Sequence, residues 1–94
     1  MLENKDVQVN IHLVEKMIQK CPDSGYFNFL YGLSLDVLGF KSSSVSYLNK
    51  ALEYAPFLGR ATIKLGQVYN ELKEYDKAIF CWNHFAVKIS ILRH

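Results

Sequence analysis

The sequence predicts a small all-α protein made of repeated helix pairs. Apolar residues recur at three- and four-residue spacing, which is the spacing of one helix face. Glycine, proline and charged residues interrupt these stripes after about one helix length. The pattern repeats with a period of 34 residues, which aligns Gly32 with Gly66 and Gly25 with Gly59. Together these observations favour five helices joined by short turns.

Length and composition limit the class of protein. The 94 residues leave room for a single domain, 1–94. Half of them are apolar, which excludes disorder of the whole chain, and the net charge of +2 excludes a nucleic-acid binder driven by bulk charge. The sequence has neither a signal-peptide pattern nor an apolar run of membrane-span length. Since Cys21 and Cys81 make no disulfide framework, we expect a cytoplasmic protein.

The first predicted helix lies in the segment 7–24. Its apolar residues keep helical spacing throughout: Val7, Ile11, Val14, Ile18 and Cys21. Shifting the repeat back by one period places Pro22 opposite Pro56. The segment therefore corresponds to the second helix of a repeat whose first helix is missing.

The first complete repeat spans 25–58. The stripe before the Gly39 turn consists of Phe27, Leu30, Tyr31, Leu35 and Leu38, and the stripe after it of Val45, Leu48, Ala51 and Leu52. Pro56 ends the second helix, because proline donates no backbone hydrogen bond and disfavours helix at Ala55.

The second repeat spans 59–92. Its stripes are Ile63, Leu65, Gly66, Tyr69 and Leu72, then Tyr75, Ala78, Ile79, Trp82, Phe85 and Ala86. Lys73 and Glu74 form the predicted turn between them. Asp76 stands near the start of the last helix, where a carboxylate complements the helix dipole.

These positions together resemble the tetratricopeptide repeat (TPR) family. The second repeat carries Leu65-Gly66, Tyr69 and the stretch Glu74–Ile79, and the first carries Gly32, Gly39, Leu48, Ala51-Leu52 and Pro56. The resemblance covers about residues 7–92. It implies a TPR-like right-handed superhelix of about five antiparallel helices. Gly32, Gly66 and Ala78 would then let paired helices approach closely.

Several residues depart from the family pattern. Asn28 and Thr62 replace large aromatic residues, Ser44 replaces alanine, and Lys41 replaces an aromatic residue for which Phe40 is the candidate substitute. Phe85 replaces alanine and Ser90 replaces proline, so we expect the last helix to continue through Ile89–Leu92.

By resemblance to the family, the first helix of each repeat lines a concave groove for a peptide or helix. The groove-facing positions would be Tyr26, Phe29, Leu33, Asp36 and Val37, followed by Arg60, Ile63, Gln67, Asn70 and Glu71. The aromatic members would anchor a partner. The alternative is that Tyr26, Phe29 and Leu33 pack inward against the segment 7–21.

Both ends of the predicted stack look uncapped, although terminal repeats usually need a polar cap. The last helix carries apolar residues with no later helix to cover them: Phe80, Phe85, Ile89, Ile91 and Leu92. Either these residues are simply exposed, or a partner chain or a second copy covers them. We expect the second, with a homo-oligomer as one form of it.

Other chemistry finds little support in the sequence. There is no phosphate-binding loop, no catalytic triad and no metal-ligand spacing beyond the pair Cys81 and His84, so we expect no enzyme, metal, cofactor or small-molecule substrate. Arg60 and Lys64 supply only half of the Lys/Asn clamp with which some TPR domains hold a chaperone's C-terminal carboxylate. The basic residues are too dispersed to form a track for phosphates, so we expect no nucleic-acid partner.

The sequence therefore predicts a protein–protein interaction module, acting as an adaptor or assembly subunit. The alternative is a small secretion chaperone similar in size and architecture to the needle-subunit chaperones of type III secretion, which shield a helical partner.

Overall fold

Five helices follow one another in the part of the chain that the structure describes, as the sequence predicted. The computed structural model describes the backbone of residues 4–56 and 58–93 and the side chains of residues 11–56 and 58–84. The helices are α1 (Asn4–Lys20), α2 (Gly25–Val37), α3 (Lys41–Tyr54), α4 (Gly59–Glu71) and α5 (Tyr75–Arg93). No strand occurs within this described part. The expected continuation of the last helix through Leu92 is confirmed.

The 34-residue period reappears in the turns. After α2, the amide of Phe40 donates to the Leu35 carbonyl at 2.8 Å, and after α4 the amide of Glu74 donates to the Tyr69 carbonyl at 2.9 Å. The left-handed residue in the first turn is Gly39 (φ 92°), and its counterpart in the second is Lys73 (φ 64°). The same backbone turn is therefore built twice, the second time without glycine.

Small residues allow close helix contacts where the sequence predicted them. A Cβ atom on Gly32 would lie 2.9 Å from the Leu48 side chain, and a Cβ atom on Gly66 would collide with Trp82. These contacts join α2 to α3 and α4 to α5, again one period apart. Neither glycine can carry a side chain unless the facing side chain, Leu48 or Trp82, shifts.

The polar departures from the family pattern are accommodated inside the protein. The buried Asn28 amide donates to the carbonyls of Pro22 (3.1 Å) and Ser24 (2.8 Å), which ties α2 to the preceding turn. The buried Ser44 hydroxyl donates to the Gly32 carbonyl at 2.7 Å. Phe40 does not substitute for the aromatic residue missing at position 41, since it is 59% exposed.

The main core lies between α2, α3 and α4 and reaches α5. Its buried members are Phe29, Leu48, Ala51, Ala61, Leu65, Val68 and Cys81. The leading helix α1 packs on α2 and buries Ile11 and Val14. Each helix contacts mainly its neighbours in sequence.

Candidate functional site

The first candidate site is the surface formed by α2 and α4, which contact each other. Most of the residues predicted to line a groove are exposed there: Tyr26, Val37, Arg60, Ile63, Gln67, Asn70 and Glu71. On α4, Ile63, Gln67 and Asn70 are spaced four and three residues apart and so share one helix face. We call Tyr26, Val37, Arg60, Ile63, Gln67 and Asn70 the α2–α4 face.

Phe29 was expected to face the groove, but its side chain is buried, which corrects that prediction. This side chain is 3% exposed and belongs to the main core. Leu33 packs against that core and is half-buried. The inward position of Phe29 and Leu33 agrees with the alternative that these side chains pack into the core. However, the other buried members of the cluster lie on α3, α4 and α5, and not on α1 as that alternative expected. Only Tyr26 and Val37, toward the two ends of α2, remain as exposed apolar residues of this stripe.

Asp36 was also expected to face the groove, but it is 6% exposed and forms the centre of an ion cluster. One carboxylate oxygen lies 2.5 Å from Lys41 Nζ and the other 2.5 Å from Lys64 Nζ. Lys41 Nζ also lies 2.5 Å from Glu71 Oε2. The ion cluster, defined as Asp36, Lys41, Lys64 and Glu71, therefore joins α2, α3 and α4 across both repeats.

The contacts within the ion cluster shift the pKa values of Asp36 and Lys41. Burial alone would raise the pKa of Asp36, but the hydrogen bonds and charges of Lys41 and Lys64 outweigh it, so the pKa lies below its ordinary value. Burial alone would lower the pKa of Lys41, but its bonds to Asp36 and Glu71 outweigh it and raise the pKa. The lowered pKa of Asp36 and the raised pKa of Lys41 both favour the charged forms of this ion pair.

A second candidate site is the groove between α3 and α5, with α4 as its floor. Its volume is about 620 Å³, which lies within the range of small-ligand pockets. We call it the α3–α5 groove, and it is lined by Asn49, Leu52, Pro56, Thr62, Leu65, Tyr69, Asp76, Lys77, Phe80, Cys81 and His84. The sequence analysis missed this groove. Its one signal was Phe80, an apolar residue outside the predicted stripe of the last helix.

Polar groups that line the α3–α5 groove contact one another and also residues outside it, since the Asn49 amide donates to the Val45 carbonyl at 3.1 Å and Lys77 pairs with Glu74 at 3.3 Å. The Asn49 amide donates to the Tyr69 hydroxyl at 3.4 Å, and Lys77 Nζ lies 5.6 Å above the Tyr69 ring. The Phe80 and His84 rings stack at 6.0 Å. Burial raises the pKa of the Cys81 thiol, which disfavours the reactive thiolate. The groove is thus a mostly apolar surface without a paired nucleophile and base among its lining residues.

The predicted end interface is described only in part. Phe80 is 70% exposed but lines the α3–α5 groove, whereas Phe85, Ile89 and Leu92 lie outside the residues with described side chains. Three other residues of α5 form a separate apolar surface: Tyr75, Ile79 and Trp82, which are 54%, 52% and 40% exposed. We call these three the α5 strip. The sequence analysis had placed all three in the apolar stripe of the last helix.

The side chains of residues 11–56 and 58–84 contain no group of three or more His, Cys, Asp or Glu able to hold a metal ion. Among the helices as described, none is both long and apolar enough to cross a membrane. Compared with known proteins, the chain matches no family model and no curated sequence.

Proposed function

We propose that this chain is a non-enzymatic protein-binding module of the TPR type, with its helix pairs arranged as a right-handed superhelix. The repeated turn and the repeated glycine contacts, both 34 residues apart, support this arrangement. We also propose a cytoplasmic location, because Cys21 and Cys81 are both free thiols, and free thiols are typical of proteins in a reducing compartment.

The observation that carries the binding role is the exposure of apolar side chains on the α2–α4 face. Tyr26 is 54% exposed, Val37 47% and Ile63 37%. Arg60, Gln67 and Asn70 surround Ile63 with polar groups on the same helix. Apolar anchors with a polar rim suit a partner helix or extended peptide that supplies two or three apolar side chains.

The test is recovery of partners on the tagged protein from its native source. Tyr26→Ser with Ile63→Ser removes two anchors, each of which can contribute about 2 kcal/mol as a hot spot, so recovery of a bound partner should fall by at least about tenfold. Phe40→Ser is the matched control, because Phe40, at 59% exposed, is more exposed than either anchor but lies in the α2–α3 turn. Equal recovery with all three proteins would contradict the proposal.

The same recovery separates the two roles that the sequence left open. A large complex supports an adaptor or assembly subunit. A single small helical partner in one-to-one ratio supports a secretion chaperone.

A further inference from the structure

The α3–α5 groove is open because the helices on its two sides do not touch. In the described part of the chain, α3 contacts α2 and α4, whereas α5 contacts α4 alone. The floor between them is one face of α4, formed by Thr62, Leu65 and Tyr69 at three- and four-residue spacing. Thr62 and Leu65 are only 4% and 3% exposed, so the groove reaches down to residues that are otherwise buried.

The floor carries a hydroxyl group that the protein itself leaves unpaired. A threonine inside a helix often donates to a carbonyl of the preceding turn, but the Thr62 hydroxyl makes no hydrogen bond within residues 11–56 and 58–84. Every fully buried side-chain nitrogen or oxygen among these residues has a partner. The unpaired Thr62 oxygen is therefore not fully buried, and the small surface that it keeps lies in the groove. A ligand atom that accepts a hydrogen bond would pair it.

The equivalent position one repeat earlier has the opposite arrangement. Asn28 precedes Thr62 by 34 residues and is also buried, but its amide donates to the carbonyls of Pro22 and Ser24. The resemblance to the TPR family expects a large aromatic residue at both positions. In the first repeat a hydrogen-bonded side chain takes that place, whereas in the second repeat a groove with an unpaired hydroxyl remains.

The sides of the groove suit a flat ring with a polar group. On α5, the Phe80 and His84 rings stack with only 8° between their planes, and on the α3 side the groove is lined by Leu52. The Asn49 amide donates to the Tyr69 hydroxyl, which leaves the proton of that hydroxyl available to a ligand. Apolar walls with a few convergent polar groups are typical of small-molecule sites.

The charges of the groove favour a neutral ligand. Asp76 and Lys77 are its acidic and basic lining residues, and their formal charges cancel when His84 is counted as neutral. An ionic ligand would therefore meet no net opposite charge here. It would also lose hydration against the apolar floor around Leu65, which is costly for a charged group.

We propose that the α3–α5 groove binds a neutral, mostly apolar small molecule that carries a flat ring and an oxygen able to accept a hydrogen bond from Thr62. The groove volume of about 620 Å³ accommodates a molecule of this kind. The site is separate from the α2–α4 face, since none of the six residues of that face lines the groove.

The probe for the test is Nile red, a neutral, flat dye with a carbonyl oxygen, whose fluorescence rises when it leaves water. Titration should show saturable binding of one dye per chain with a Kd on the order of 10 µM, the value that typical ligand efficiency gives for a dye of this size. Thr62→Phe places a ring on the floor and should weaken binding at least about tenfold. Equal binding by the unmodified chain and a folded Thr62→Phe variant would overturn the proposal.

A second variant keeps the proposal testable if Thr62→Phe does not fold. Phe80→Ser removes the ring wall and should weaken Nile red binding at least about fivefold. Phe80 is 70% exposed, so its loss should leave the fold intact, which circular dichroism checks. Ile79→Ser is the matched control, because Ile79 is adjacent and 52% exposed but lies outside the groove. Equal weakening by both serine variants would refute the assigned surface.

The chemistry of the ligand is tested with Thr62→Val, which nearly keeps the shape of the side chain and removes the hydroxyl. It should weaken Nile red about fivefold, as loss of one hydrogen bond does, and leave binding of N-phenyl-1-naphthylamine, a neutral ring dye without oxygen, unchanged. Equal effects on the two dyes would contradict the role of the hydroxyl. Anilinonaphthalene sulfonate adds a negative charge to the same rings and should bind more weakly than the neutral dye, and tighter binding would refute the neutral class.

The groove and the proposed protein-binding function can fail separately. Partner recovery through Tyr26 and Ile63 should be unchanged in Phe80→Ser, because Phe80 lies outside the α2–α4 face. Recovery that falls with Phe80→Ser, but not with Tyr26→Ser and Ile63→Ser, would assign the groove to a protein partner and refute the small molecule. A mass of two chains that Phe80→Ser reduces to one would assign it to a second copy instead.

Discussion

Replacing Asp36 with asparagine removes the central charge of the ion cluster while nearly conserving its shape. Breaking a fully buried ion pair by removing one partner costs about 3–5 kcal/mol. Here Lys41 and Lys64 keep 30% and 24% of their side chains exposed, so water can partly solvate the lysines left behind. We therefore expect Asp36→Asn to lower the free energy of unfolding by about 2 kcal/mol, which corresponds to roughly 8–16 °C in Tm for a domain of this size.

Urea unfolding followed by circular dichroism measures this change. The control is Glu71→Gln, which removes a carboxylate of the same ion cluster whose side chain is 45% exposed and should cost only about 0.5 kcal/mol. The double variant Asp36→Asn with Lys64→Met should lose less free energy of unfolding than the sum of the two single variants, because the lysine that Asp36→Asn leaves unpaired is then absent. An Asp36→Asn variant no less stable than Glu71→Gln would refute the reasoning.

Three further predictions concern single residues. Lys73→Gly should raise the free energy of unfolding by about 0.5–1 kcal/mol in urea unfolding, because Lys73 has a left-handed φ of 64°, whereas Gly39 already fills the equivalent position. Folding lowers the pKa of Asp36, so the stability that its carboxylate contributes is complete above the ordinary pKa of 3.8 and is lost as pH falls through the lower pKa of the folded state. The difference in the free energy of unfolding between the unmodified chain and Asp36→Asn should therefore shrink below about pH 4. A thiol reagent should modify the exposed Cys21 quickly and the buried Cys81 slowly, and Cys21→Ser should remove the fast phase alone.

The helices and their turns could be predicted because their causes are local. Pro56 stops a helix wherever it stands, and Gly39 supplies a left-handed residue without reference to the rest of the chain. The glycine contacts were also predictable, since the 34-residue period placed each glycine and its large partner in equivalent positions. Local chemistry and the 34-residue repeat therefore sufficed to predict most of the architecture.

The candidate sites depended on how the helix pairs meet, which the period alone does not specify. Spacing placed Phe29 and Asp36 on one face of α2, but α4 approaches that face and covers them. Lys64 comes from the other repeat, so its ion pair with Asp36 has no signature in local sequence. The α3–α5 groove likewise arises from the distance between two helices that α4 separates.

Packing between sequence neighbours has a consequence for how the chain folds and opens. Since the helix contacts are mostly between successive helices, few loops must close over long distances before stabilising contacts form, which favours rapid folding. The core cluster lies between α2, α3 and α4 and reaches α5 only at Cys81, so the central helices hold most of the cooperative unit. The outer helices can then open while the centre remains closed. Amide hydrogen exchange should accordingly be slowest in the middle of the chain and become faster toward both ends.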